Sequence, residues 1–419
     1  GMLFTTVVCM TLGGCGFTAD KENVKNSGAV ESVMPGAEVS TEMTERDAEA
    51  DNGVVQLKVW SEEDNFDMLN QMIDSFEQKY AGQAKFEITL EQNADSDTKD
   101  ILLGDIHNGA DVFPFADDQL SAMVAAGALY PVPNAEEVKS ANLEESVSAA
   151  SINDILYAYP MTADNGYFLY YNSSKFTADD VKSFETLLDK AAKQKVQAFM
   201  TISDAWYTAS FFYAAGCDIK LDTATQKMDL IDFDTDKGIA ATKAMADLVN
   251  NNKDSFVSTG DNAAILTLLS SGKLQAVVTG TWNTPAIENA WGKENVAATK
   301  LPTVKMNGTD TQLHSFGGYK LIGVNSASKF PLASATLATY LTGPEVQQER
   351  YNQLKVIPTN NDILASDALK NDPIQKAIEA QRPYSHSQSV CTMKFWDPVA
   401  SVGTDINNGN LKSSDEAGI

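Results

Sequence analysis

Apolar residues in the first part of the chain alternate between strand and helix spacing. The stretch VVQLKVW (54–60) predicts a buried strand, and segment 65–80 after it carries apolar residues at helical spacing: Phe66, Leu69, Met72, Ile73 and Phe76. The same pair recurs as strand 84–92 with helix 95–109, and as strand 110–118 with the helix after it. This steady alternation predicts a parallel, doubly wound sheet.

The rest of the chain repeats the pattern without an internal sequence repeat. Strands are predicted within 155–176, 196–202, 274–278 and 317–328, and helices over 183–194, 238–252, 262–272, 331–343 and 344–354. A chain of 419 residues exceeds what one hydrophobic core usually serves. The pattern therefore favours two α/β lobes over a solenoid.

The first 52 residues differ from the rest of the chain. An apolar run ends in Leu12-Gly13-Gly14-Cys15, which resembles a bacterial lipobox, although no Lys or Arg precedes the run. We expect residues 1–15 to be a signal peptide, with Cys15 lipidated after cleavage. Segment 16–52 is polar and acidic and predicts a flexible linker. No run of 18 or more apolar residues follows, so no membrane-spanning segment is predicted in the body.

Charge and motifs narrow the possible functions. A formal net charge of -26 argues against nucleic-acid binding and against strongly anionic ligands. Neither a dinucleotide nor a phosphate-binding glycine loop is present, and DFDTDKG (232–238) lacks the glycine that a calcium loop needs. We expect no cofactor and no metal. Cys217 and Cys391 are compatible with either a disulfide or two free thiols.

The stretch QAVVTGTWNTPAIENAW (275–291) separates two tryptophans that differ in their predicted roles. Its apolar residues continue a strand that Thr279 to Thr281 end, which frees Trp282 from the sheet as a platform for a ligand. Trp291 falls in or just after a helix and is expected to pack. Trp60 lies within an apolar strand and is expected in the core.

Eight stretches, in order, resemble the extracellular solute-binding proteins of carbohydrate ABC importers, specifically the maltose/maltodextrin-binding type. They are LKVWSEEDN, GADVFPFADDQLSAMVAAGALYPV, YAYPMTADNGYFLYYNSSKF, SSGKLQAVVTGTWNT, LPTVKMNG, FGGYKLIGVNSAS, LTGPEVQQERY and VIPTNNDIL. The resemblance covers about residues 54 to 410. The block ending in Trp282 is its most specific part.

The resemblance implies a two-lobed α/β fold of the periplasmic-binding-protein (Venus flytrap) type, with mixed sheets and hinge crossings between the lobes. The first lobe would comprise 53–161 and 305–370, and the second 162–304 and 371–419. Crossings are expected near Pro160 to Ala163, near Leu301 to Val304, and near 369–374. The ligand would lie in the cleft between the lobes, which closes by hinge motion.

The resemblance also assigns candidate ligand-binding residues. They are Glu63, Asp64, Asn65, Phe115, Asp118, one of Asp164 and Asn165, Asp204, Trp206, Trp282 and Trp396. Aromatic rings cover the apolar face of a pyranose, whereas carboxylates and amides bind its hydroxyls. Asp397 and Ala400 depart from the family pattern, which leaves the identity of the sugar open.

We therefore expect a lipid-anchored protein on the extracellular face of the bacterial membrane, monomeric and without catalytic activity. It would capture an oligosaccharide, in the first place a malto-oligosaccharide, and deliver it to the permease subunits of an ABC transporter. Two alternatives remain: a surface glycan-degrading enzyme that uses paired carboxylates, and the same fold binding a polyamine.

Overall fold

The structure is a computed structural model that describes residues 53–222, 227–391 and 393–415. The predicted signal peptide 1–15, its Cys15 and the predicted linker 16–52 lie outside the described residues. Among the helices of the described ranges, none is both long and apolar enough to cross a membrane.

Each region predicted to contain a strand does contain one, and further short strands that were not predicted lie between them. In chain order they are β1 Val54–Ser61, β2 Lys85–Gln92, β3 Val112–Ala116, β4 Ser151–Ile152, β5 Ile155–Leu156, β6 Tyr159–Thr162, β7 Phe168–Asn172, β8 Gln197–Phe199, β9 Ile219–Asp222, β10 Lys227–Ile231, β11 Phe256–Val257, β12 Leu274–Thr279, β13 Val296–Thr299, β14 Thr303–Met306, β15 Thr309–Gln312, β16 Ser315–Phe316, β17 Lys320–Val324 and β18 Ser385–His386.

The helices lie between these strands. In chain order they are α1 Phe66–Tyr80, α2 Thr98–Gly104, α3 Leu120–Ala125, α4 Ala135–Ala141, α5 Glu144–Ala149, α6 Phe184–Gln194, α7 Ala205–Ala214, α8 Asp236–Asn251, α9 Asn262–Ser270, α10 Thr284–Trp291, α11 Pro331–Leu341, α12 Pro344–Leu354, α13 Asn361–Leu364, α14 Asp367–Lys370, α15 Pro373–Gln381 and α16 Met393–Asn407. Short 3-10 turns end several strands, at Glu63–Asn65, Asp95–Asp97, Asp117–Gln119, Thr281–Asn283 and Gln388–Val390.

The first lobe is built on a five-stranded sheet in the order β2-β1-β3-β17-β6. Strand β1 runs parallel to both of its neighbours, whereas β17 runs antiparallel to β3 and β6. Phe76 of α1 packs against the sheet, with its ring centroid 4.9 Å from that of Phe86 and 5.5 Å from that of Tyr340. The sheet is mixed because β17 enters it from the second lobe in the opposite direction.

The second lobe is built on a five-stranded sheet in the order β11-β8-β12-β7-β13. Helices cover both of its faces: one core contains Phe211 of α7, Met245 of α8 and Phe395 of α16. The other contains Ile265 of α9 and Ile287 of α10. Two mixed five-stranded sheets, each packed against its own helices, confirm the expected two-lobed α/β fold.

The chain passes from one lobe to the other near three points. The first passage joins β6 to β7, and the last joins α14 to α15. The second differs from the expectation near Leu301 to Val304, because both of these residues, and Phe316 after them, pack in the core of the second lobe that contains Phe211. The chain leaves that core only at 317–319, just before β17. The remaining lobe limits stay a prediction.

Candidate functional site

A cavity of about 480 Å³ lies between the two sheets, at the ends of strands from both lobes. The first lobe contributes the end of β1 and the turn after it. The second contributes α9, α10 and the turn that ends β12. Six of the lining residues are Trp60, Asp64 and Asn65 from the first lobe and Asn262, Leu266 and Trp282 from the second.

Trp282 faces this cavity because the chain turns at a glycine directly after the strand. β12 stops at Thr279, and the chain turns at Gly280 into the 3-10 turn Thr281–Asn283. The indole lies back over Gly280 so closely that a Cβ there would sit 1.9 Å from Trp282 Cζ3. The side chain keeps 38% of its surface exposed, which is high for a tryptophan. Its ring centroid is 5.9 Å from that of Trp206.

Trp291 and Trp60 are buried, as the sequence predicts. Trp291 is 6% exposed, and its Nε1 donates to the Leu274 carbonyl at 2.8 Å. Trp60 is equally buried, and its Nε1 donates to Glu91 Oε2 at 3.3 Å. The little surface that Trp60 retains faces the cavity, so this core residue also forms part of the cavity wall.

Charged residues in the cavity wall, of which Asp95 is buried and Lys320 and Glu62 are partly exposed, form a group that the sequence analysis did not identify. Lys320 Nζ lies 2.8 Å from Asp95 Oδ2, and Glu62 is close enough to interact electrostatically with both residues. Burial alone would lower the pKa of Lys320, but Asp95, Glu62 and Asp164 together raise it. Burial, followed by the charge of Asp95, raises the pKa of Glu62. A lysine inside the apolar strand KLIGV was the one sequence signal for this group.

Arg350 of α12 is the second cation in the wall and, unlike the partly exposed Lys320, it is buried. Its Nη1 donates to the Leu341 carbonyl at 2.6 Å, and burial lowers its pKa to about 10. Nothing in the polar helix PEVQQERYNQL distinguishes this arginine from a surface residue.

Asp164 joins the two lobes at the first crossing. Its Oδ2 accepts a hydrogen bond from Thr281 Oγ1 at 2.6 Å and one from the Ile357 backbone N–H at 2.7 Å. Burial raises the pKa of Asp164, and the bond from Thr281 opposes that change. The carboxylate thus holds the turn that carries Trp282, and it also lines the cavity.

Asn165, the alternative candidate at this crossing, is buried beside a separate cavity of about 40 Å³. Its Nδ2 makes no hydrogen bond within the described structure. The first and second crossings between the lobes meet here, because the Asn165 backbone N–H donates to the Gly318 carbonyl at 3.2 Å.

A second group of candidates meets beside Trp282. Trp206 Nε1 donates to Gln388 Oε1 at 2.7 Å, and Gln388 Nε2 donates to Asp118 Oδ1, also at 2.7 Å. Gln388 therefore links an aromatic residue of the second lobe to a carboxylate of the first. Burial raises the pKa of Asp118, which the bond from Gln388 opposes. Burial and the charge of Asp118 raise the pKa of the neighbouring Asp117 to about 7.

Asp118, Asn165 and Trp206 do not line the main cavity, and neither do the remaining candidates, Glu63, Phe115, Asp204 and Trp396. Phe115 has no exposed surface, because β3 is central in its sheet and buried on both faces. Asp204 caps α7 by accepting from the Trp206 backbone N–H at 2.9 Å. Trp396 packs its ring against Phe395 and Phe316, 4.9 and 5.8 Å away between centroids. Glu63 is exposed in the turn after β1.

The cysteines and the acidic residues offer no metal centre in the described part of the chain. There, no group of three or more His, Cys, Asp or Glu side chains is arranged to hold a metal ion. Cys217 and Cys391 are both free, so the open choice between a disulfide and two thiols is decided for the thiols.

Comparison with known proteins identifies the family. A profile of the bacterial extracellular solute-binding protein family matches residues 71–377. The chain therefore belongs to that family, which is extracellular.

Relatives and solved structures agree with this assignment. The galactooligosaccharide-binding protein of Bacillus subtilis is 24% identical over 84% of this chain and 85% of its own length. A structure determined with acarbose is 29% identical, covers 87% of this chain and 96% of that chain, and has a TM-score of 0.79. A maltodextrin-binding protein from L. casei, solved without ligand, is 28% identical over 86% and 95% of the two chains, with a TM-score of 0.72.

Proposed function

We propose that the protein is the substrate-binding component of an ABC importer and that it captures a malto-oligosaccharide between its lobes for delivery to the permease. The observation that carries the proposal is the cavity itself. Trp282 faces it from the second lobe, and Asp64 and Asn65 face it from the first. Relatives named for galactooligosaccharide and maltodextrin binding support a sugar as the ligand.

Binding requires contacts from both lobes. The indole of Trp282 would cover the C–H face of one pyranose, and Asp64 and Asn65 would hydrogen-bond its hydroxyl groups. Since these residues belong to different lobes, the sugar contacts all of them only when the cleft is closed. It therefore stabilises the closed state by its differential affinity, and the permease recognises that state.

Attachment to the outer face of the membrane belongs to the same proposal. Lipidation of Cys15 would anchor the protein, and linker 16–52 would let a monomeric body move near the permease. Cells that express the full chain and are fed a labelled fatty acid should yield labelled protein. A Cys15→Ser variant should be unlabelled and released into the medium.

Titration calorimetry tests the ligand directly. We expect the protein to bind malto-oligosaccharides with one site per chain, and to leave maltoheptaose intact on prolonged incubation. Binding of spermidine with no binding of any saccharide would replace the proposal with polyamine capture. Turnover of maltoheptaose by pure protein would replace it with glycan hydrolysis.

A further inference from the structure

A glutamine of the C-terminal segment connects the two lobes beside the cavity. Gln388 lies in a short 3-10 turn after β18, and its Oε1 accepts a hydrogen bond from Trp206 Nε1 of the second lobe at 2.7 Å. Its Nε2 donates to Asp118 Oδ1 of the first lobe, also at 2.7 Å. An indole N–H can only donate, so the amide oxygen must face Trp206 and the amide N–H must face the carboxyl group. These two bonds are called the Gln388 bridge.

The segment that carries Gln388 is fixed to the second lobe. β18 pairs with β16, and His386 Nε2 of β18 lies 2.8 Å from His314 Nδ1. The His386 ring also stacks on Tyr213 of α7, with 3.8 Å between the ring centroids and 11° between the planes. The turn is therefore held in place from the second lobe, and only the side chain of Gln388 reaches the first.

The first-lobe end of the bridge is fixed as well. Asp118 belongs to the 3-10 turn Asp117–Gln119, which follows β3 directly. Gln119 Nε2 donates to the Asp95 carbonyl at 2.8 Å, and its Oε1 accepts from the Lys99 backbone N–H at 2.8 Å. Because each end is held by its own lobe, separation of the lobes must break the Gln388 bridge.

The bridge does not require a ligand. Its three residues, Asp118, Trp206 and Gln388, do not line the cavity between the sheets. A sugar that lies against Trp282 therefore leaves the bridge intact, although the rings of Trp206 and Trp282 are only 5.9 Å apart between centroids. The same two hydrogen bonds can form before the sugar enters and after it has bound.

We propose that the Gln388 bridge is a latch that holds the lobes together in the sugar-free protein as well as in the complex. This inference rests on the proposed capture of malto-oligosaccharides, and it names a contact that controls the same cleft without touching the sugar. Sugar enters and leaves only when the cleft is open. A bridge that is present in both closed states therefore slows association and dissociation together.

Stopped-flow tryptophan fluorescence with maltotriose tests the kinetic consequence. Gln388→Ala should release maltotriose about 3- to 10-fold faster than the wild type, as expected when a net hydrogen bond between the lobes is lost. Association should also become faster, so the equilibrium Kd should change less than the dissociation rate. Small-angle X-ray scattering without sugar should give a larger radius of gyration for Gln388→Ala than for the wild type.

Two further variants identify the atoms responsible. Gln388→Glu keeps an acceptor for Trp206 but places a second carboxyl group against Asp118 where the donor was, so it should behave as Gln388→Ala does. Ser389→Ala is the matched control, because this exposed residue of the same turn contacts Ser387 Oγ at 2.8 Å and nothing in the first lobe is among its hydrogen-bond partners. It should retain the wild-type rates. Thermal unfolding of every variant verifies that it is folded.

The outcomes separate this inference from the proposed function. Faster association and dissociation with a larger sugar-free radius of gyration support the latch. Faster dissociation alone would mean that the bridge forms only in the complex, and tighter binding by Gln388→Ala would mean that the glutamine competes with the sugar. Either result, or unchanged rates and dimensions, overturns the latch while the capture of malto-oligosaccharides stands. A wild type that binds no saccharide overturns the proposed function, and the scattering comparison then decides on the latch alone.

Discussion

Gly280→Ala is a small change that moves the proposed sugar platform. The backbone at Gly280 has φ -103°, so alanine is compatible with it, but the new Cβ would lie 1.9 Å from the indole of Trp282. Because ordinary contact begins near 3.4 Å, the ring must retreat by about 1.5 Å. The turn that carries Trp282 is held in place by the hydrogen bond from Thr281 to Asp164. The clash with the new Cβ must therefore be relieved by rotation of the indole.

We expect this displacement to cost much of what the indole contributes to binding. Loss of an aromatic contact in a pocket weakens binding by roughly 1–3 kcal/mol, or about 5- to 150-fold in Kd. The free energy of unfolding should change little, because Trp282 is partly exposed. Replacing glycine by alanine also reduces the conformational freedom of the unfolded chain, which favours the folded state by about 0.4–1 kcal/mol.

Calorimetry with maltotriose and thermal unfolding measure the two effects separately. Gly104→Ala is the matched control, since nothing lies within 4 Å of a Cβ at that position. Wild-type affinity in Gly280→Ala would refute the role given to Trp282. A large loss of stability would show that the indole supports the fold instead.

Further substitutions at four positions test other parts of the account. Trp282→Ala should weaken sugar binding with little change in stability, whereas Trp291→Ala should destabilise the protein by about 3–5 kcal/mol, as measured by denaturant unfolding. Thr281→Val should destabilise the crossing by about 1–3 kcal/mol because it removes a hydrogen bond from buried Asp164, and Thr281→Ser should restore it. Burial raises the pKa of Asp117 from 3.8 to about 7, because it disfavours the charged carboxylate. The protonated side chain therefore makes its full contribution to stability below pH 3.8, and this contribution is lost as the pH rises through 7. Asp117→Asn should therefore stabilise the protein at pH 8, by on the order of 2–4 kcal/mol, with the gain fading toward pH 4 in thermal unfolding scans; an equal gain at both pH values would contradict the assignment.

The order of strands and helices could be predicted because their spacing is local information. The contrast between Trp282 and Trp291 was equally accessible, since the Gly-Thr break after an apolar run determines where the strand ends. The position of the second crossing between the lobes could not be predicted from the sequence. The hairpin β14–β15 contains no local signal for the lobe it packs on, and only the burial of Val304 and Phe316 reveals it.

The candidate site shows the same limit at the level of side chains. Phe115 follows a proline in an apolar strand, and nothing in that pattern distinguishes a strand end from a central strand buried on both faces. Asp204 lies two residues before Trp206, a spacing that suits both a sugar contact and a helix cap, and it serves as the cap. Gln388 enters the site through a contact with Asp118 that is distant in sequence, and Arg350 is buried by a bond to Leu341 of the preceding helix; no local pattern encodes either.

A crystal structure of the protein with maltotriose tests the central claim most directly. The account predicts a pyranose ring parallel to the indole of Trp282, inside the cavity between the two sheets, with Asp64 or Asn65 of the first lobe on its hydroxyl groups. A sugar bound to one lobe alone, or in a place where it does not touch Trp282, would contradict it.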